Sequence, residues 1–145
     1  MRARQSIYIE RAADEVFDFI ADHRNDALWR SEVVSSSVVG DITRGVGARL
    51  QQVVSYRGRR ADAHLEITEF VPGERICFRA HGGMRAHGCY ELRPEGSGTR
   101  LSVSATVELK GAAAMLERYI LQAVEEAADE DLERLRAVLE ARSPG

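Results

Sequence analysis

From Val33 to Leu109 the chain reads as strands joined by connections too short to hold a helix. The segments are Val33 to Val39, Ala48 to Tyr56, Arg60 to Phe70, Arg75 to Ala80, Met84 to Arg93 and Thr99 to Lys110. Between them stand Asp41-Ile42-Thr43-Arg44-Gly45-Val46-Gly47, Arg57-Gly58-Arg59, Val71-Pro72-Gly73, Gly82-Gly83 and Pro94-Glu95-Gly96-Ser97-Gly98, all rich in turn-forming residues. Strands joined this closely run antiparallel, because a parallel pair needs a crossover of about a dozen residues or more. Gln5 to Glu10 also alternates, with Ile7 and Ile9 on one side and Tyr8 on the other, and predicts a first strand ahead of these six.

The alternation sets which face is buried. Ala61, Ala63, Leu65 and Ile67 alternate with Asp62, His64, Glu66 and Thr68, and Ile76, Phe78 and Ala80 alternate with Arg75, Cys77 and Arg79. Met84, Ala86, Gly88, Tyr90 and Leu92 face one way, Arg85, His87, Cys89 and Glu91 the other. Leu101, Val103, Ala105, Val107 and Leu109 alternate with polar residues from Arg100 to Glu108. One face is apolar and one is wet, so the sheet is covered on one side. Gln51-Gln52 blurs the pattern of its strand, where Gln52, Val54 and Tyr56 are expected inward. No His, Asp or Glu is expected inward on any strand.

The cover is expected to be the stretch Gly111 to Arg142, which has no Pro or Gly after Gly111 until Ser143-Pro144-Gly145. Leu116, Tyr119/Ile120, Ala123/Val124, Ala127, Leu132/Leu135 and Val138/Leu139 form one apolar stripe at helical period. Glu130–Arg134 and Glu133–Arg136 are expected ion pairs, with Arg142 in the last turn. Ala13 to Ala21 predicts a short helix with Asp14 and Glu15 in its first turn, and Asn25 is expected to cap a second one through Trp29. These two are read as too small to cover the sheet. The long stripe is small at its middle (Ala123, Ala127, Ala128), and so is the facing sheet (Ala63, Ala86, Gly88, Ala105). One trimmed wall is compatible with close packing; two facing each other point to a cavity. Trp29 either lines the mouth of such a cavity or pins its helix to the sheet.

The 145 residues suit one domain, 1–145, with a formal net charge of -3. The basic cluster Arg57-Gly58-Arg59-Arg60 is short and reads as a solvated turn, so nucleic acid is not an expected partner. No apolar run approaches the ~20 residues of a membrane span, and the first residues lack the apolar core of a signal peptide. A cytoplasmic location is expected, with Cys77 and Cys89 kept reduced and no disulfide framework. Those cysteines with His64, His81 and His87 share the wet face, but no CxxC or HxxxH spacing is present, so neither metal nor cofactor is expected. The glycine turns lack the strand-to-helix context of a phosphate loop.

The order of elements resembles the helix-grip fold of the START-like superfamily, and within it the bacterial polyketide cyclase/dehydrase and lipid-transport-like group. The resemblance rests on Ile7-Tyr8-Ile9-Glu10-Arg11-Ala12-Ala13-Asp14-Glu15-Val16-Phe17, Ala21-Asp22 with Trp29 downstream, Gly45-Val46-Gly47-Ala48-Arg49, Ile67-Thr68-Glu69-Phe70-Val71-Pro72-Gly73-Glu74-Arg75 and Gly98-Thr99-Arg100-Leu101. It implies an α+β fold, a curved seven-stranded antiparallel sheet wrapped around a long C-terminal helix, with an apolar pocket between them. The occupant it implies is a hydrophobic small molecule of lipid, polyketide or isoprenoid type. The expected lining is Trp29, Gln52, Val54, Tyr56, Leu65 and Ile67, then Phe78, Ala86, Tyr90, Val103 and Ala105, with Leu116, Tyr119, Ile120 and Ala123 from the helix. A carrier, a polyketide cyclase or dehydratase in which a Tyr or Arg polarises a carbonyl, and a protein-interaction or chaperone-activator module are all compatible with the fold. Stable membrane insertion is not expected. The chain is expected to be a monomer or homodimer, without pairing through the acidic side of the long helix.

Overall fold

The computed structural model describes residues 2–56, 58–81, 85–109 and 111–142. In chain order these form β1 (Arg2–Ile9), α1 (Ala13–Ala21), a 3-10 turn (His23–Asn25), α2 (Asp26–Trp29), β2 (Val33–Val39), β3 (Arg49–Tyr56), β4 (Arg59–Val71), β5 (Arg75–His81), β6 (Arg85–Glu95), β7 (Gly98–Glu108), a second 3-10 turn (Gly111–Leu116) and α3 (Glu117–Glu140). The expected turn at Gly82-Gly83 and the inward Met84 lie outside the described residues. One antiparallel sheet holds all seven strands in the order β1-β7-β6-β5-β4-β3-β2. The hairpins from β2 to β7 follow from their short connections. The short helices carry the chain away from β1 before β2 begins, which frees β1 to pair with β7 from Arg2↔Thr106 to Ile9↔Thr99.

The register stacks the expected inward residues in rows across the strands. Ile67, Phe78, Gly88 and Ala105 form one row, and Ile76, Tyr90 and Val103 another. A register shift between Ile67 and Glu69 sets Phe70 opposite Ile76. The extra residue turns Phe70 inward, where strict alternation would have placed Glu69. Phe70 then meets Phe17 of α1 edge-on, ring centres 5.3 Å apart.

The short helices do more covering than their length suggested. Among the described residues, α1 and α2 give Val16, Phe17, Phe19, Ile20, Ala21 and Trp29 to the main core cluster, whereas α3 gives Leu132, Leu135 and Leu139. The strand that α3 approaches most closely is the edge strand β1. There Gln5 Nε2 donates to Asp129 Oδ1 (3.2 Å) and the Glu10 amide to Glu140 Oε2 (2.8 Å). Arg11 Nη2 reaches the Glu140 carbonyl at 2.6 Å. Leu135, fully buried, is a keystone of the packed end. Leu135→Ala is expected to cost about 2–5 kcal/mol, as cavity-forming Leu→Ala changes do. Urea unfolding measures it, and a loss under about 1 kcal/mol would mean that α3 is not packed as described.

Several local expectations are corrected. The regular α-helix starts at Glu117, because Gly111 (φ 62°) and the residues after it form a 3-10 turn instead. The helix ends at Glu140, and Arg142, beyond the last turn, sits 5.2 Å over the Phe19 ring. Arg134 reaches Asp131 (3.4 Å) and the Trp29 carbonyl (3.1 Å), both on the side facing α2, whereas Arg136 pairs with Glu133 as expected. Asn25 does not cap α2: its side chain donates to the Phe19 carbonyl at 3.0 Å, and Asp22 caps the preceding turn. Cys77 and Cys89 are joined in a disulfide. They are direct cross-strand partners on β5 and β6, and this register alone brings the sulfurs together. His64 stands opposite His81 on the same face, yet no His, Cys, Asp or Glu group among the described residues is arranged to hold a metal ion. No described helix is long and apolar enough to cross a membrane.

Candidate functional site

The inner face of the sheet is sealed at one end and open at the other. Along β5, Ile76 is buried while Phe78 and Ala80 are half-buried. Along β7, Leu101 is buried, Val103 and Ala105 are half-buried, and Val107 beyond them is buried again. On β4 the change runs from Ile67 and Leu65, buried, to Ala63, half-buried. The helix repeats it: Leu139, Leu135 and Leu132 are buried, and Ala128, Val124 and Leu121 are half-buried. Burial therefore falls on both the helix and these strands toward the N-terminus of α3, with a half-buried apolar space, the trough, between them. Its floor is short because its residues are small. Gly88 is the extreme case, since a Cβ there would come 3.0 Å from Phe78 Cζ and 2.6 Å from the Ser104 carbonyl. With no side chain at Gly88, the Phe78 ring lies over β6, 5.6 Å from the Tyr90 ring.

A buried polar cluster closes the inner end of the trough. Trp29 packs edge-on to Tyr90, centroids 6.0 Å apart. Gln52 Nε2 donates to Asp26 Oδ2 (2.7 Å) and to Ser36 Oγ (3.1 Å). Arg30 Nη1 and His23 Nδ1 lie 3.8 Å and 3.7 Å from the same Asp26 oxygen, and Arg30 Nη2 pairs with Glu32 at 3.1 Å. Three buried atoms here have no hydrogen-bond partner in the protein: His23 Nδ1, Asp26 Oδ1 and Trp29 Nε1. A donor and an acceptor are thus on offer to a water or a polar ligand group. The helix is fastened to this corner by Asp131, whose Oδ1 accepts from the Ser31 amide at 3.1 Å.

Tyr90 and Arg30 tune each other. Burial pushes the Tyr90 phenol above the ordinary tyrosine range, against the pull of the Arg30 cation. Burial disfavours the Arg30 charge, but the negative groups around it, Tyr90 once ionised and the Asp26 and Glu32 carboxylates, more than offset this, so the guanidinium stays charged. A neutral phenol beside a fixed cation can hold or polarise a carbonyl oxygen. It also makes stability pH-dependent. The unfolded chain releases this proton near pH ~10, the folded chain only higher. Between the two the unfolded state binds fewer protons, so stability falls as pH rises. The urea midpoint is expected to decline above pH ~10, less steeply in Tyr90→Phe. An equal decline in both proteins would remove Tyr90 from this role.

A concavity of about 430 Å³ lies apart from this half-buried face, between α1, the 3-10 turn after it and the β2–β3 loop. Val38, Leu50, Ile67 and Phe70 form its apolar side, with His23, Arg24 and Arg44 at its polar side. Arg44 stacks on Phe70 (5.3 Å) and pairs with Asp18 (3.0 Å), and Arg24 pairs with Asp22 (2.8 Å). Each cation is matched by an acid, so this space carries no charge preference.

The residues expected at the site separate into groups. Phe78, Ala86, Val103 and Ala105 are half-buried on the inner face, as are Ala123 on the helix and Val54 on β3. Tyr90, Trp29 and Gln52 are buried at its inner end, so Trp29 does not stand at an open mouth. Leu65 and Ile67 belong to the sealed core. Leu116 (53% exposed) and Tyr119 (71%) point outward, and Ala127, counted in the stripe, is exposed. The side chains of Tyr56 and Ile120 lie outside the described residues. The expectation that no strand points a His, Asp or Glu inward does not reach His23 and Asp26, which are buried beside Gln52. They enter from α2 and the turn before it, which strand alternation does not see. The available signal was Gln52 itself, an amide on an apolar face that needs a buried partner.

Residues 1–140 match the family described as polyketide cyclase / dehydrase and lipid transport. No curated protein matches the chain in sequence. Among solved structures, TTHA0849 from Thermus thermophilus superposes with a TM-score of 0.84 at 24% identity, covering 97% of this chain and 98% of that one. A START superfamily protein from Mycobacterium smegmatis gives 0.71 at 18%, covering 97% and 95%. The di-domain ARO/CYC StfQ of the steffimycin biosynthetic pathway gives 0.79 at 12%, covering 96% of this chain and 50% of StfQ. These likenesses show a START-like fold.

Proposed function

Because the chain belongs to the polyketide cyclase / dehydrase and lipid transport family, we propose that it binds a hydrophobic small molecule, of lipid, polyketide or isoprenoid type, in the trough between α3 and the sheet. What supports this reading is the matched fall in burial on both walls: Ile67 to Ala63 and Ile76 to Ala80 on the sheet, and Leu135 to Val124 on the helix, become less buried toward the same end. An apolar body fits between them, and a single carbonyl or hydroxyl fits the inner end beside Tyr90 and Arg30. Apolar walls with few convergent polar groups are the usual make-up of such sites. Holding the molecule for transfer needs no more than this.

A cyclase or dehydratase reading has one observation in its favour, a buried, neutral Tyr90 phenol within the field of the charged Arg30. StfQ, an aromatase/cyclase by its name, shares the fold. In that reading the pair stabilises negative charge developing on a substrate carbonyl oxygen, so Tyr90→Phe lowers turnover much more than affinity. In the carrier reading there is no turnover to lower. Native mass spectrometry of protein purified from its own host, followed by denaturing extraction, tests the common premise. An apolar compound at near one per chain is expected. Protein that is empty, and whose melting temperature no lipid or polyketide raises, would overturn it.

A further inference from the structure

Among the described residues the sheet ends in two edge strands, β1 and β2, and they are not alike. β1 carries Arg2 and Arg4, and α3 bonds to it through Gln5 and to its end through Glu10. Charge and a covering element are the usual protection of an edge against pairing with another chain. β2 has neither a charged residue nor a proline: from Val33 to Val39 it reads Val-Val-Ser-Ser-Ser-Val-Val. Val34, Ser35, Ser37 and Val39 are exposed along it, and so are Leu28 before it and Ile42 after it. Its one irregularity, the register shift between Val33 and Ser35, sits at one end and leaves Ser35 to Val39 regular.

The sequence of β2 is the same read in either direction. A two-fold axis through Ser36 lays a second copy antiparallel along it, so that Ser35 faces Ser37, Val34 faces Val38, and Ser36 faces its own kind. Paired serines and paired β-branched residues are favourable neighbours across strands. The ends also match. Glu32 falls beside Val39 and Gly40 of the second copy, where Arg49 stands: it is opposite Val39, and a Cβ on Gly40 would come 3.3 Å from its Nη2. Each corner then gathers Arg30 and Glu32 of one copy with Asp41 and Arg49 of the other, and no charge faces its like along the strands. Asp26, behind Arg30, is buried. Nearby, Asp22 is paired with Arg24, Asp18 with Arg44 and Asp131 with Arg134.

We propose that two copies of this chain associate edge to edge, β2 against β2 and antiparallel about an axis at Ser36, joining their sheets into one. Backbone hydrogen bonds hold the pair, as in any strand added to a bare edge. A second copy is the occupant because it matches the side chains of the strand and both of its ends. One strand pair is a small interface, so the dimer is weak, with a dissociation constant on the order of 100 µM. The proposal does not rest on the ligand-binding reading.

Sedimentation velocity of the full chain from about 1 µM to about 1 mM tests it, and a monomer–dimer equilibrium is expected. Ser35→Lys should weaken the dimer at least tenfold, because the axis brings both ammonium groups to one face beside it. Ser35 is exposed, so the melting temperature of the dilute protein should stay the same. Arg4→Glu, on the other edge, should leave association intact. Glu32→Arg should weaken it at least threefold, counted over both corners, and adding Arg49→Glu should restore it. Within one chain Glu32 and Arg49 flank opposite ends of β2, so the rescue reports contact between copies. A monomer at every concentration, or a dimer that Ser35→Lys leaves whole, overturns the proposal. So does Glu32→Arg without effect, or with a loss that Arg49→Glu does not repair. A dimer that Met115→Asp dissolves and Ser35→Lys does not would be built on another surface, and overturns it as well.

Discussion

Asp26→Ala is expected to destabilise the protein by about 3–5 kcal/mol, the usual result of removing one partner from a buried charged cluster. Asp26 is buried, and one of its oxygens meets Gln52, Arg30 and His23. Among the described residues, alanine would leave the Gln52 amide with Ser36 and Arg30 with the Glu32 carboxylate. Asp26→Asn keeps an oxygen for Gln52 and loses only the charge, so it should cost clearly less. Urea unfolding of the two variants gives the order. If asparagine costs as much as alanine, charge alone holds the cluster; if neither costs more than about 1 kcal/mol, the cluster is not a structural centre.

The second large effect is on binding. Ala105→Trp places an indole on the trough floor beside Gly88, where the row Phe78–Gly88–Ala105 has its smallest side chains. Affinity for the co-purified compound, or for an apolar fluorophore, is expected to fall at least tenfold, which is about 1.4 kcal/mol of binding. Because Ala105 is only half-buried, the melting temperature should barely move. Leu135→Ala is the mirror case, with large loss of stability and little change in affinity per folded molecule. Unchanged binding in Ala105→Trp would move the ligand out of the trough, with the concavity beside His23 and Arg44 the next place to look.

Much of this architecture was legible because it is local. A hairpin is written in a few turn residues and a two-residue period, so β2 to β7 could be read in order, and the inner rows through Phe78, Tyr90 and Val103 followed. What escaped came from contacts distant in the chain. The shift at Ile67/Glu69 that turns Phe70 inward leaves no mark in composition. The Cys77–Cys89 disulfide depended on exact register, to which the spacing of two cysteines is blind. The Asp26–Gln52–Arg30 cluster joins β3 to α2 and its flank, 26 residues apart between Gln52 and Asp26. Leu116 and Tyr119 fitted a helical stripe, but a stripe says which side of a helix is apolar and not how far along its length a partner stays in reach.

The sequence by itself determined the strands, the long helix and the apolar face between them, because each is a short-range repeat that any hydrophobic collapse must respect. The tertiary structure alone decided where that face closes and where it stays open. Asp131 and Arg134 tie the C-terminal half of α3 to the end of α2, and Glu140 ties it to the end of β1. With these ties, burial along α3 and the turn before it falls from Leu139, Leu135 and Leu132 to the exposed Leu116 and Tyr119. The half-buried inner face, its polar inner end and its exposed rim go with that change.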